Sequence, residues 1–154
     1  MRNNICLIEA HIVKFINNRL FFLLLKRTPE EKFPNVWQPI TGHVKKEEKA
    51  FATAFRETEE ETGFTPEEIF VLPIVNRYYN HEKDEICEIP VFFSVAEKDF
   101  NPILSSEHNE FKWADLREAE KLVAWPGQRQ SMKIIEEYLT SKTAMLYFGR
   151  IKKG

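Results

Sequence analysis

The chain has 154 residues, enough for one domain with a sizeable core. Its 43% hydrophobic and 30% charged residues exclude a disordered or membrane-embedded chain. A formal net charge of −2 gives no global basic field to attract a nucleic-acid polymer.

The longest apolar run, Leu20 to Leu25, is too short to cross a bilayer. Glu9 interrupts the first apolar stretch and argues against a secretory leader, so a cytoplasmic protein is expected. Cys6 and Cys87 are too few for a disulfide scaffold and lack metal-ligand spacing, so buried free thiols are expected. The four histidines, His11, His43, His81 and His108, form no zinc set.

Along the chain, Ile5 to Ile16 is rich in β-branched residues and reads as a strand. Asn17-Asn18 supplies a turn, and Leu20 to Lys26 reads as the hairpin partner. Thr28 to Asn35 is polar and holds Pro29 and Pro34, which makes it a loop. Val36 to Thr41 reads as a short strand ending at Gly42. Lys49 to Thr62 lacks Gly and Pro and is followed by Gly63, the pattern of a helix with its stop residue. Ile69 to Tyr79 and Ile86 to Ala96 read as strands joined by the charged loop Asn80 to Glu85, and Glu110 to Trp113 as a brief strand. Asp115 to Val123 suggests a helical turn or two, broken by Pro126-Gly127. Gln128 to Leu139 is an amphipathic helix with Met132, Ile135, Tyr138 and Leu139 on one face. In the tail, Ala144 to Ile151 could add a strand, with Lys152-Lys153 fraying. No linker or repeat divides residues 1–154, and strands and helices without regular βαβ alternation predict an α+β domain, a mixed sheet between helices.

The chemistry concentrates between Gly42 and Phe64. On the predicted helix Glu57, Glu60 and Glu61 stand at i, i+3 and i+4, so all three project within an arc of roughly 100°. Like charges at that spacing destabilise a helix, and Arg56 is the one cation between Ala50 and Thr62. A hard divalent cation with a preference for oxygen ligands would resolve the conflict. Phe51, Ala52, Phe55, Thr58 and Thr62 then form the expected packing side, while Arg56 can pair with Glu60 or Glu48. A solvated charged face would account for the acids alone, but not for Gly42, where a small residue lets backbone approach a ligand.

This stretch resembles the Nudix box: glycine, five residues, glutamate, seven residues, Arg-Glu, an aliphatic, any residue, Glu-Glu, any residue, glycine, aliphatic. Gly42, Glu48, Arg56, Glu57, Glu60, Glu61 and Gly63 stand at the matching positions. Thr58 and Phe64 replace the two aliphatics, and Glu47 replaces a glycine common before the first glutamate. The resemblance implies the Nudix fold and a hydrolase of nucleoside diphosphates linked to another group, with Mg²⁺ or Mn²⁺ as cofactor. It makes Glu60, Glu107 and Arg56 the expected catalytic residues, and Gly42, Glu57, Glu60, Glu61 and Glu107 the expected metal site, with Glu110 the alternative to Glu107.

Two further stretches resemble subfamilies. Ser106-Glu107-His108 followed by Phe111-Lys112-Trp113 is similar to a segment of dihydroneopterin triphosphate pyrophosphatases and of diadenosine tetraphosphate hydrolases. Trp37-Gln38-Pro39-Ile40-Thr41-Gly42 and Trp125-Pro126-Gly127-Gln128-Arg129-Gln130 look more like the first group. The resulting expectation is a pyrophosphohydrolase that converts a nucleoside or pterin triphosphate to the monophosphate and pyrophosphate. Diadenosine polyphosphate hydrolysis is the enzymatic alternative, and a catalytically silent nucleotide-sensing domain is the alternative from another class. Expected substrate contacts are Arg27 for phosphate, Trp37 and Tyr78 for base stacking, with Tyr79 and Trp125 as further aromatics, and Gln38 and His43 beside the site. No membrane or polynucleotide partner is expected, and the protein is read as a monomer or homodimer.

Overall fold

The structure, a computed structural model, describes residues 4–154. Strand β1 (Leu7–Ile16) turns at Asn17-Asn18 into β2 (Arg19–Arg27). Both asparagines have positive φ, 51° and 65°, the backbone that a two-residue hairpin needs to match strand twist. The expected strand at 36–41 is divided at Pro39 into β3 (Trp37–Gln38) and β4 (Ile40–His43), so Gly42 lies within a strand and does not end one. Proline has no N–H to give to a ladder, which accounts for the break. Helix α1 (Ala50–Thr62) follows, closed by Gly63 at φ 76° with its N–H on the Glu59 carbonyl.

Next come β5 (Glu68–Asn80), β6 (Glu85–Val95), β7 (His108–Ala114), α2 (Leu116–Leu122) and α3 (Pro126–Ser141). Pro126 sits in the first turn of α3, where its missing N–H costs nothing, so it opens the helix instead of breaking the chain. The tail differs from expectation in another way. Thr143–Gly149 is a 3-10 helix, and strand β8 is confined to Arg150–Lys152, paired with Glu68–Phe70 of β5. The Lys153 N–H still reaches the Glu67 carbonyl at 2.8 Å, so the lysine pair is held and not frayed.

In the mixed sheet β1 runs antiparallel to β2 through Val13–Ile16 and to β4 through Leu7–Ala10, and parallel to β6 on its other edge. The β3–β4 segment therefore fills the gap where β1 and β2 diverge, and β7 closes the far edge of β2. Alternation along β1 sends Ile8, Ala10 and Ile12 into the core layer under α1, and Val13 into the layer under α2 and α3. The sheet is thus sandwiched between helices.

Cys6 and Cys87 are joined as a disulfide, contrary to the expectation of free thiols. The β1–β6 pairing continues through Cys6 N–H to the Glu88 carbonyl (3.3 Å), which brings the two Cα atoms to 5.7 Å. No helix among the described residues is long and apolar enough to cross a membrane.

Candidate active site

The box helix buries part of the packing side expected from its sequence: Thr58 and Thr62 are buried, while Phe51, Ala52 and Phe55 are half-buried. Thr53, Ala54, Thr58, Glu61 and Thr62 are the buried residues of α1. Their hydroxyls find partners nearby: Thr62 Oγ1 donates to the Thr58 carbonyl at 2.6 Å, and Thr53 Oγ1 to Glu48 at 2.7 Å. Ala52 and Phe55 instead line a groove of about 540 Å³ with Arg56, Glu59, Glu60 and Lys153. Phe51 and Phe55 are half-buried at the edge of the core, and Phe64 packs on Phe100 with ring centroids 4.9 Å apart.

Arg56 is the hub of one half of the site. Its Nε and Nη2 grip both oxygens of Glu48 at 2.8 and 2.9 Å. Nη1 donates to Glu57 at 2.6 Å and to Glu60 at 3.3 Å, and Nη2 also reaches the His43 carbonyl at 3.1 Å. Such a planar fork fixes several acceptors at once. Those bonds, with help from the Lys45 N–H and Thr53 and against the cost of burial, hold the Glu48 carboxyl down to about 2. Glu57 is shifted the other way, upward, by burial first and then by the charges of Glu60 and Glu61, with Arg56 opposing. Gly42 touches Glu57 so closely that a Cβ there would lie 2.2 Å from Glu57 Cγ, so only glycine fits.

The other half is built around Glu61. His108 Nδ1 and Ser105 Oγ lie 2.9 and 2.7 Å from the same oxygen, Oε2. Burial alone would raise Glu61, but hydrogen bonds with His108, Glu107 and Ser105 outweigh it, and its carboxyl titrates low. Glu107 carries the complementary shift: a hydrogen bond with Glu61, then burial and the charges of Glu61, Glu31 and Glu57, push it up to about 7. Two adjacent anions are costly, so the pair favours one charge over two. Among the described residues, Glu61, Glu107 and His108 offer ligand atoms that all lie within 4.8 Å of one another.

The expected site residues are therefore distributed unevenly. Glu61 and Glu107 are adjacent, Glu57 lies against Gly42, and Glu60 is exposed with its carboxylate on Arg56. Glu110 bonds Lys26 at 3.1 Å. Of the expected substrate contacts, Gln38 is buried, its amide 3.3 Å from His108 Nε2, and is not turned to open space. Arg27 is engaged by the Lys32 carbonyl (2.5 Å) and Glu31 (3.5 Å), closing the loop that follows β2. Trp37 is half-buried against the core layer under α3. His43 is exposed and meets Arg56 through its carbonyl, and Tyr78 is exposed on β5 opposite Cys87. Sequence reasoning missed His108 and Ser105 as partners of Glu61; the only signal was their place beside Glu107.

The NUDIX domain profile matches residues 8–134, most of the chain. The chain belongs to that family, and it is a hydrolase of phosphoric anhydride bonds. Among curated relatives, the bis(5'-nucleosyl)-tetraphosphatase [asymmetrical] of Mus musculus is 28% identical over 139 residues, covering 88% of this chain and 92% of that protein. A C. elegans Ap4A hydrolase solved as a binary complex superposes with a TM-score of 0.74 at 24% identity, covering 86% of this chain and 96% of that one. The E. coli dihydroneopterin triphosphate pyrophosphohydrolase superposes with a TM-score of 0.69 at 20% identity, covering 84% and 95%. At those identities the two structures speak for the fold.

Proposed function

We propose that this protein hydrolyses a nucleoside polyphosphate with the help of Mg²⁺ or Mn²⁺, and that its substrate is a bis(5'-nucleosyl) tetraphosphate cleaved into unequal halves. The observation that carries the reaction is the meeting of Glu61 and Glu107, carboxyl against carboxyl, with the charge of Glu57 close enough to push Glu107 up further. Beside the His108 imidazole the donors are carboxylates, the oxygen ligands that hard divalent cations prefer, and a cation would relieve the repulsion between them. Glu57, Glu60, Glu61 and Glu107 would hold it. When bound, such a cation neutralises phosphate charge and orients water for attack on phosphorus.

The chain's own residues supply the rest. Arg56 fixes Glu48, Glu57 and Glu60 in single orientations. Gly42 leaves the room that Glu57 occupies. Glu107 stands where it can serve as ligand or as base, and the pH–rate profile of Glu107→Gln separates the two, a flatter profile marking the base.

The substrate choice departs from the triphosphate that the Trp37–Gly42 and Trp125–Gln130 stretches favour, because the mouse relative, matched over most of both chains, supports the dinucleoside compound. Pyrophosphohydrolysis of a triphosphate is the second reading, kept by those stretches. The test is a substrate panel with Mg²⁺ and with Mn²⁺: diadenosine tetraphosphate, nucleoside triphosphates and dihydroneopterin triphosphate, with products separated chromatographically. Monophosphate plus triphosphate from the first compound is the expected result. Monophosphate plus pyrophosphate from a triphosphate at higher kcat/KM would transfer the reading to the second. No turnover of any compound would leave the silent nucleotide-sensing domain.

A further inference from the structure

Glu61 belongs to α1, Ser105 to the segment before β7, His108 to β7 and Gln38 to β3, yet the four side chains form one continuous hydrogen-bonded chain. Gln38 Nε2 lies 3.3 Å from His108 Nε2, and His108 Nδ1 lies 2.9 Å from Glu61 Oε2. Gln38 and His108 are each 5% exposed, so neither has an alternative in bulk water. A carboxylate can only accept, so the imidazole proton sits on Nδ1 and points at Glu61. The Nε2 lone pair is then the acceptor, and the Gln38 amide is its donor. Both ring nitrogens are thereby used. His108 lies among the acids yet has no lone pair left for a cation.

We propose that His108 is a positioning residue for Glu61 and not a metal ligand, and that Gln38 sets its polarity by fixing the imidazole tautomer. The inference rests on the reading of Glu61 as a metal-site carboxylate. His108 and Ser105 load the same oxygen, which stops the carboxylate rotating and commits it to one presentation toward Glu107. The fold makes this arrangement available. Gln38 pairs with Leu25 and His108 with Arg27, so the two partners flank β2 from opposite edges and meet across its end. The irregularity between Lys26 and Arg27 in the β2–β7 register lies at the same place. Gln38 therefore acts at a distance from substrate, through two hydrogen bonds.

The experiment is Mn²⁺ binding to the full chain, followed by titrating the electron paramagnetic resonance signal of the free ion, with circular dichroism as the check on folding. His108→Ala should weaken binding about 10- to 100-fold, the usual loss when a partner of a ligand is removed. Asparagine places an amide N–H where Nδ1 stands, so His108→Asn should recover most of that loss. His108→Gln places its amide at the Nε2 position and should not. Gln38→Leu should weaken binding at the lower end of the same range, about 10-fold, although it touches no acid. Pulsed measurements on wild-type protein with Mn²⁺ should show no coupling to a directly bound imidazole nitrogen. Such a coupling would overturn the proposal, and so would equal losses in His108→Asn and His108→Ala or unchanged binding in a folded His108→Ala. If wild-type protein itself fails to bind Mn²⁺, the metal reading fails first and takes this inference with it. Binding by wild type with indifferent variants sinks the inference alone.

Discussion

Glu9 and Glu61 each bond an imidazole inside the protein, one on each face of the sheet. Glu9 lies 2.5 Å from His11 Nε2, and its other oxygen accepts from Asn76 Nδ2 at 2.8 Å. Asn76 is in turn 3.1 Å from Ser131, which donates to the Gly127 carbonyl, so this group ties β1 and β5 to the start of α3. Glu61 has comparable burial and a comparable imidazole, but its neighbour is another carboxyl, Glu107, with Glu57 near by. The pair of residue types is the same; the third partner differs. A neutral amide satisfies the second oxygen of Glu9, whereas a second acid leaves Glu61 with a conflict that only a proton or a cation settles.

The strongest way to break this comparison is to remove one charge from each pair. Glu61→Gln should lower kcat/KM on the order of 10³-fold, within the range for a group at the reacting centre. Glu9→Gln should leave turnover near normal while costing about 1–3 kcal/mol of stability, seen as a melting temperature lower by several degrees. If Glu9→Gln were the variant that lost activity, the assignment of the two faces would be reversed. Next in size is Arg56→Lys, which keeps the charge but loses the fork that holds Glu48, Glu57 and Glu60. About 10- to 100-fold lower turnover in a folded protein is expected. Near-normal rates would remove the orienting role.

A smaller effect sharpens the contrast through pH. Glu107 is raised from 4.5 to about 7 in the folded, metal-free protein, so folding binds a proton that the unfolded chain releases. That contribution is fully present below 4.5 and is lost as pH rises through about 7, so Glu107→Gln should flatten the dependence of melting temperature on pH across that window. Cation binding must displace the same proton and should weaken as pH falls below about 7. An unchanged slope in the variant would show that the proton is not there. The smallest effect belongs to Glu47, held at φ 65° in the left-handed region. Glu47→Gly should stabilise on the order of 1 kcal/mol with activity unchanged, measured by denaturant unfolding.

Much of the helix half of the site was legible because it is local. The i, i+3, i+4 spacing of Glu57, Glu60 and Glu61 and the Arg56 tie to Glu60 follow from helical periodicity, while Glu48, which precedes the helix, was a candidate partner of Arg56 without that support. The hairpin at Asn17-Asn18 and the stop at Gly63 were equally readable, since each needs a backbone conformation that those residues tolerate. The packing side of α1 was legible at Thr58 and Thr62, but Thr53 and Ala54 were missed, because hydropathy ranks Phe55 above Thr53, while the structure buries a threonine whose hydroxyl is satisfied locally. The Gln38–His108–Glu61 chain and the Cys6–Cys87 bond join residues far apart in sequence, and only the order of strands reveals them.

That strand order also governs how the chain must be made. The amino-terminal strand β1 receives β2 almost at once, but its parallel neighbour is β6, where Val91 stands opposite Glu9. About 80 residues separate the two, so at ribosomal rates of about 5–20 residues per second one edge of β1 waits roughly 4–16 s for its partner. During that interval the apolar residues Ile8, Ala10 and Ile12 lie next to an unpaired backbone edge, the kind of surface on which nascent chains aggregate. Slower synthesis across the intervening residues should lower the soluble yield, while every contact in the finished molecule stays the same.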